Sequence, residues 1–163
     1  MTTASNLAWR HRAVLAGSSA LGLGYLPVAP GTWGTFAALP IWWALAGTVS
    51  WPVFAAITAV AVVAAVWIAG RAEAIYGAHD VGHIVIDEVV GLLCTVIGVP
   101  WRWPEVVAAF ALFRILDAFK PWPIRIFDEK VGGGFGVVID DVIAGLVGCG
   151  LLHAARSWHG GWW

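Results

Sequence analysis

Residues 13–70 contain no Asp, Glu, Lys, Arg or His. A stretch of that length without a charge has no solvated face, which excludes an ordinary water-soluble domain. Charge is scarce elsewhere too: 12% of the 163 residues are charged and 60% are hydrophobic, far from the soluble average. There are two cysteines, Cys94 and Cys149, both in apolar runs. They read as buried thiols and exclude a disulfide framework. Nine basic residues against ten acidic ones leave no polycationic surface, so nucleic acid is not an expected partner. No cleavable leader is expected either. Arg10, His11 and Arg12 precede an apolar stretch, but Gly22, Gly24, Pro27 and Pro30 interrupt it, so the internal apolar segments would direct insertion.

Against this background, twelve tryptophans suit a chain with long membrane–water boundaries, where the indole ring keeps one edge wet. Six of the ten carboxylates, all of which follow residue 70, are crowded into few places: Asp80, Asp87 with Glu88, Asp117, and Asp140 with Asp141. An ionised carboxylate among apolar helices costs several kcal/mol unless it is paired or bound to metal. The composition therefore points to a membrane protein that works through a carboxylate cluster.

The length predicts one domain over 1–163, all-α, a compact bundle embedded in the bilayer by several transmembrane or re-entrant helices. An N-terminal helix within 1–21 could lie at the interface. Residues 22–34, GLGYLPVAPGTWG, read as a Gly/Pro loop. Apolar helices are expected over 35–47 and 52–70, the second prolonged through 71–79, then over 84–99, over 104–119 with Pro104 in the first turn, and over 137–155. KPWPI at 120–124 should end the fourth of these, and Gly132, Gly133 and Gly134 should form a turn. Several helices fall short of the about 20 residues a crossing needs. With Arg10 and Arg12 in the cytoplasm, two crossings return Arg71 to that side and a third puts Arg102 outside. A fourth returns Lys120, Arg125 and Lys130. The same count gathers the 22–34 loop and all six carboxylates at one membrane face.

Four segments carry chemistry. In HDVGHIVIDEVVG (79–91), Asp80 and Asp87 are seven apart and would share a helix face if the segment is helical, although Gly82 favours a loop around Asp80. Glu88 is turned about 100° from Asp87. Oxygen ligands of this kind select hard cations such as Mg²⁺; an acidic helix N-terminus is the plainer explanation for Asp80. His79 and His83 are ligands, proton carriers or structural residues. In FRILDAFKPWPI (113–124), Arg114, Asp117 and Lys120 recur at i, i+3. Arg114 and Lys120 either hold a phosphate or neutralise buried acids in a salt-bridge ladder. In GGGFGVVIDDVIAG (132–145), Asp140 and Asp141 lie inside an apolar helix. They diverge by about 100°, so one can bind metal while the other holds a base. In LPVAPGTWGT (26–35), Thr32 and Thr35 offer hydroxyls, and Gly31 and Gly34 permit close backbone approach. A helix starting near Thr35 would make an anion site there, or Thr35 simply caps it.

Taken in order, PVAPGTWGT, HDVGHIVIDEVVG, FRILDAFKPWPIRIFD and GGFGVVIDDVIAG resemble the phosphatidylglycerophosphatase A family over about residues 22–150. The resemblance implies an all-α bundle of about six helices. It also implies a Mg²⁺-dependent phosphatase that converts phosphatidylglycerophosphate to phosphatidylglycerol; with the count of crossings above, the protein is expected in the bacterial cytoplasmic membrane with its site facing the cytoplasm. The family's polar positions fall on Thr32, Thr35, Asp80, Asp87, Glu88, Arg114, Asp117, Lys120, Asp140 and Asp141. On this reading Asp80, Asp87, Glu88 and Asp141 are catalytic. Asp87, Glu88, Asp117, Asp140 and Asp141 hold Mg²⁺, and Thr32, Thr35, Arg114 and Lys120 bind the lipid phosphate. The chain lacks the DxDx[TV] nucleophile motif and the DGxxARx8GxxxDxxxD pattern of CDP-alcohol phosphotransferases. A small transporter using the carboxylates as a relay is the rival from another class, and the oligomeric state is left open.

Overall fold

The computed structural model describes residues 4–79, 81–119 and 132–158. Among them there is no β-strand, and six α-helices form the bundle: α1 (Ala4–Ser18), α2 (Pro30–Leu45), α3 (Trp51–Tyr76), α4 (Ile86–Thr95), α5 (Trp103–Phe119) and α6 (Gly133–Trp158). A single 3₁₀ turn, Leu23–Tyr25, links α1 to α2. The expected all-α bundle is thus present.

Its boundaries differ from the expected ones where Gly and Pro were read as loop. Helix α2 begins at Pro30 rather than near residue 35. Proline is suited to the first helical position, because its fixed φ matches the helix and its missing N–H would lack a partner there anyway. Helix α6 begins at Gly133 rather than 137; Gly134 is absorbed because it packs directly on Val66 and Gly70 of α3, where no side chain fits. Helix α4 spans ten residues, not sixteen. Residues 81–85 are not helical, so the condition for a helix face shared by Asp80 and Asp87 is not met and the loop reading favoured by Gly82 fits; α4 is too short to cross a bilayer. The KPWPI break lies outside the described residues.

Helices α3 and α6, 26 residues each, are long and apolar enough to cross a membrane. Helices α2 and α5, with 16 and 17 residues, fall short of the usual span. On α3 the inner stripe is small, with Ala65, Ala69 and Ala72 fully buried, while Val60, Val63 and Trp67 face outward. Small residues let backbones approach, the means by which helices associate where hydrocarbon surrounds them and water gives no hydrophobic drive.

The central element is α4, buried from Val89 through Val96 and wedged against α6, α2 and α3. Gly91 of α4 abuts Phe113 of α5 and the carbonyl of Asp141 on α6, and Gly145 of α6 abuts the carbonyl of Gly91. Trp42 of α2 closes the core by donating its indole N–H to the carbonyl of Val99 at 3.2 Å. Contacts at the helix ends define two poles. At one, Gly31 (start of α2) meets Glu88 (start of α4) and Arg114 (late α5), and Gly70 (late α3) meets Gly134 (start of α6). At the other, Gly98 meets His153 of α6 and Trp51 at the start of α3, and Arg156 donates to the Gly98 carbonyl at 3.3 Å.

Candidate active site

Three helices bring acids to the first pole. Asp87 and Glu88 occupy the first turn of α4, where the unpaired N–H groups and the helix dipole favour negative charge. Asp117 comes from the last turn of α5 and Asp141 from within α6. Ligand oxygens of Asp87, Glu88 and Asp141 all lie within 4.8 Å of one another. Asp117 faces both Asp141 and Glu88. Asp140 is buried beside Asp141, one helical step round α6.

Three oxygens in this group, Asp87 Oδ1, Glu88 Oε2 and Asp141 Oδ2, are enclosed yet have no hydrogen-bond partner among the described residues. A buried carboxylate oxygen without a donor carries its full desolvation cost. Burial, and then the neighbouring Glu88 and Asp141, hold the Asp87 carboxyl well above the ordinary range. Burial likewise raises Glu88. An enclosed, mutually repelling, all-oxygen donor set is what a hard divalent cation neutralises, so these residues fit Mg²⁺ chemically.

Charge of the opposite sign comes from α5. Arg114 donates from Nη1 to Asp117 Oδ2 at 2.5 Å, an i, i+3 pair on one face. Both roles read from the sequence for Arg114 are open to this geometry, because a guanidinium has five N–H donors and this contact uses one. The N-terminus of α2 forms the remaining wall. The Glu88 carboxylate presses so closely on Gly31 that a Cβ there would collide with it, and Arg114 Nη1 would stand 3.3 Å from that Cβ. Ala29, just before Pro30, takes a left-handed conformation (φ 49°, ψ 57°), which costs about 1 kcal/mol for a residue with a Cβ.

Of the residues singled out by sequence, Asp87, Glu88, Arg114, Asp117 and Asp141 are brought together, with Asp140 alongside. Thr32 is partly buried in the first turn of α2. Thr35 is fully buried, and its hydroxyl donates to the Gly31 carbonyl at 3.0 Å, so it braces the turn that carries Gly31. Asp80 and Lys120 lie outside the described residues. His83 donates from Nδ1 to the Gly24 carbonyl, 3.1 Å away, and its ring lies 4.8 Å from that of Tyr25.

Sequence reasoning singled out His79 but passed over Glu73, Tyr25 and Tyr76, which lie near the loop before α4. Glu73, buried on α3, pairs with His79 Nδ1, and the Tyr25 and Tyr76 hydroxyls are hydrogen-bonded at 2.6 Å. An acid at the end of an otherwise apolar helix was the available signal for Glu73. Nothing in the spacing of Tyr25 and Tyr76, 51 residues apart, announces their contact.

No solved structure matches the chain. Among proteins of known name, phosphatidylglycerophosphatase A of Escherichia coli is 40% identical over 135 residues, covering 81% of this chain and 77% of its own. Phosphatidylglycerophosphatase A of Haemophilus influenzae is 39% identical over 140 residues, covering 84% and 85%. A Bacteroides thetaiotaomicron protein, provisionally named a phosphatidylinositol-3-phosphatase, is 40% identical over 151 residues, covering 88% and 92%. Residues 16–156 match the phosphatidylglycerophosphatase A family, and that span includes every residue described at the acidic pole; the chain belongs to this family.

Proposed function

We propose that this chain is a Mg²⁺-dependent phosphatidylglycerophosphatase, hydrolysing the terminal phosphate monoester of phosphatidylglycerophosphate to give phosphatidylglycerol. Family membership carries the phosphatase activity. The observation that ties it to a place is the meeting of enclosed, donor-less carboxylate oxygens from α4 and α6 beside Arg114. Asp87, Glu88 and Asp141 would hold the cation, with Asp117 and Asp140 completing or orienting the set. Bound there, Mg²⁺ would supply electrophilic polarisation of the phosphoryl oxygens. Arg114, oriented by Asp117, offers its remaining N–H groups to the phosphate. The small Gly31 lets the Glu88 carboxylate sit against the start of α2, beside Arg114. A carboxylate of the cluster takes the proton of the attacking water, a role suited to a carboxyl whose affinity for protons is raised by its surroundings. Asp80, Lys120 and Thr32 belong to the same reading as catalytic and phosphate-binding residues.

We place the bundle in the cytoplasmic membrane with the acidic pole toward the cytoplasm. The two apolar 26-residue helices support the embedding. The basic residues support the orientation: Arg71, late in α3, sits at the acidic pole, and Arg156, near the end of α6, sits at the other. A transporter would need its acids near mid-depth and reachable from both sides; the gathering of these acids at one pole favours the phosphatase.

The test is phosphate release by purified protein from phosphatidylglycerophosphate in mixed micelles, with and without Mg²⁺, beside phosphatidylinositol-3-phosphate as a second lipid monoester. Release from the first lipid that ceases in chelator is expected. No release from it would overturn the activity, and full turnover after metal removal would overturn the metal.

A further inference from the structure

A groove of about 720 Å³ runs between α1 and the C-terminal half of α3, on the side of α3 away from its packed alanines. Trp9, Arg10 and His11 line it from α1, and Trp67, Ile68 and Arg71 from α3. None of these residues is among the acids of the active site. Arg71 lies over the Trp67 ring at 5.8 Å, and among the described residues no carboxylate forms an ion pair with Arg10 or Arg71. Two cations therefore share one groove, with no ion-paired counter-charge among the described residues. Below them the outward face of α3 continues as Val63 and Val60, 71% and 70% exposed, at near-helical spacing.

We infer that this groove binds an anionic phospholipid other than the substrate, with its phosphodiester between Arg10 and Arg71 and its acyl chains along Val63 and Val60. The charge, the aromatic walls and the apolar track match the three parts of such a lipid in order: headgroup, interface and chain. The volume lies in the range that accommodates a molecule of headgroup size or larger. The inference rests on the membrane placement above and not on the hydrolytic reaction. A lipid held there would tie α1 to the bilayer surface and to α3.

The experiment uses the full chain in nanodiscs of mixed phosphatidylglycerol and phosphatidylcholine, followed by gentle delipidation and native mass spectrometry of the retained lipid. Wild type should retain phosphatidylglycerol over phosphatidylcholine, and the Arg10→Ala/Arg71→Ala variant should lose that preference by about 10-fold, the scale of one charge-assisted contact. Arg12→Ala is the control: Arg12 is on the same helix and carries the same charge but does not line the groove, so it should retain the preference. Excess glycerophosphate should not displace the lipid. Equal retention of both lipids by wild type, an equal loss in Arg12→Ala, or displacement by glycerophosphate would each overturn the site. Phosphate release and nanodisc incorporation are measured on the same samples. Failure to incorporate the wild type would count against the membrane placement, and failure to hydrolyse would count against the proposed reaction alone.

Discussion

Gly31 and the Glu88 carboxylate are in contact across the α2–α4 junction, with no space between them for a side chain. Gly31→Ala should therefore push Glu88 away from Asp87 and Asp141 while leaving the rest of the bundle alone. We expect kcat/KM to fall by on the order of 100-fold, since misplacing a reacting group by about 1 Å has that effect, with little change in Tm in detergent. Activity near wild type would show that Glu88 can move without consequence and would take the start of α2 out of the site.

Arg114→Lys keeps the positive charge but loses the planar fork that can serve Asp117 and a phosphoryl oxygen together. The expected loss in kcat/KM is on the order of 10-fold, about 1.4 kcal/mol of transition-state stabilisation. An unchanged value on the same micellar substrate would leave Arg114 as a counter-charge for Asp117 only.

Asp87→Asn and Glu88→Gln should abolish turnover, because each removes an anionic oxygen donor. Each also removes one repelling charge from a buried cluster, so in chelator the variants should melt at or above the wild-type temperature. Turnover at wild-type rates would take these acids out of the catalytic role. Inactive variants that melt well below wild type would mean that the acids hold the fold together.

The stability of the metal-free protein should depend on pH in a specified direction. Asp87 and Glu88 are raised above their unfolded values, mainly by burial. From the unfolded carboxylate range, about pH 4, upward, the native state binds more protons than the unfolded chain. Stability must then fall as pH rises through the folded values. Mg²⁺ replaces those protons, so the gain in Tm on adding Mg²⁺ should grow as pH rises. A Tm in chelator that is flat or increasing across this window would contradict the burial of these carboxyls.

Gly91→Ala tests the packing beneath the site. The new Cβ would stand 2.5 Å from Phe113 Cε2 and 3.1 Å from the Asp141 carbonyl. Overpacking of this kind costs about 1–3 kcal/mol, read as a lower Tm, together with reduced activity because Asp141 shifts.

The acids of the site could be read from the sequence because each is an expense in an apolar chain. Asp87, Glu88, Asp117 and Asp141 have no solvated face to explain them, and they converge. Residues whose contribution is the lack of a side chain were harder to read. Gly31 and Gly34 stood out through their loop-like setting, but Gly91 and Gly145 look like weak points in helices until the crossing of α4 and α6 is seen. The starts of α2 and α6 were misjudged for the same reason. Gly and Pro signal loops in isolation, and only tertiary contact shows that Gly134 is small because α3 lies against it. Thr35 was read as a phosphate ligand or helix cap, and its burial against the Gly31 carbonyl depends on a helix boundary that the local pattern hid.

The backbone contact between Gly91 and α6 lies one turn beyond Asp87, and it touches the carbonyl of Asp141 itself. The spacing between acids on the two helices is therefore set by main chain against main chain, with no side chain to lengthen or shorten. Side chains away from it, such as the Tyr25, Tyr76 and His83 group, can be exchanged without disturbing that crossing. In such a scaffold the distance between the acids is inherited with the helix crossing.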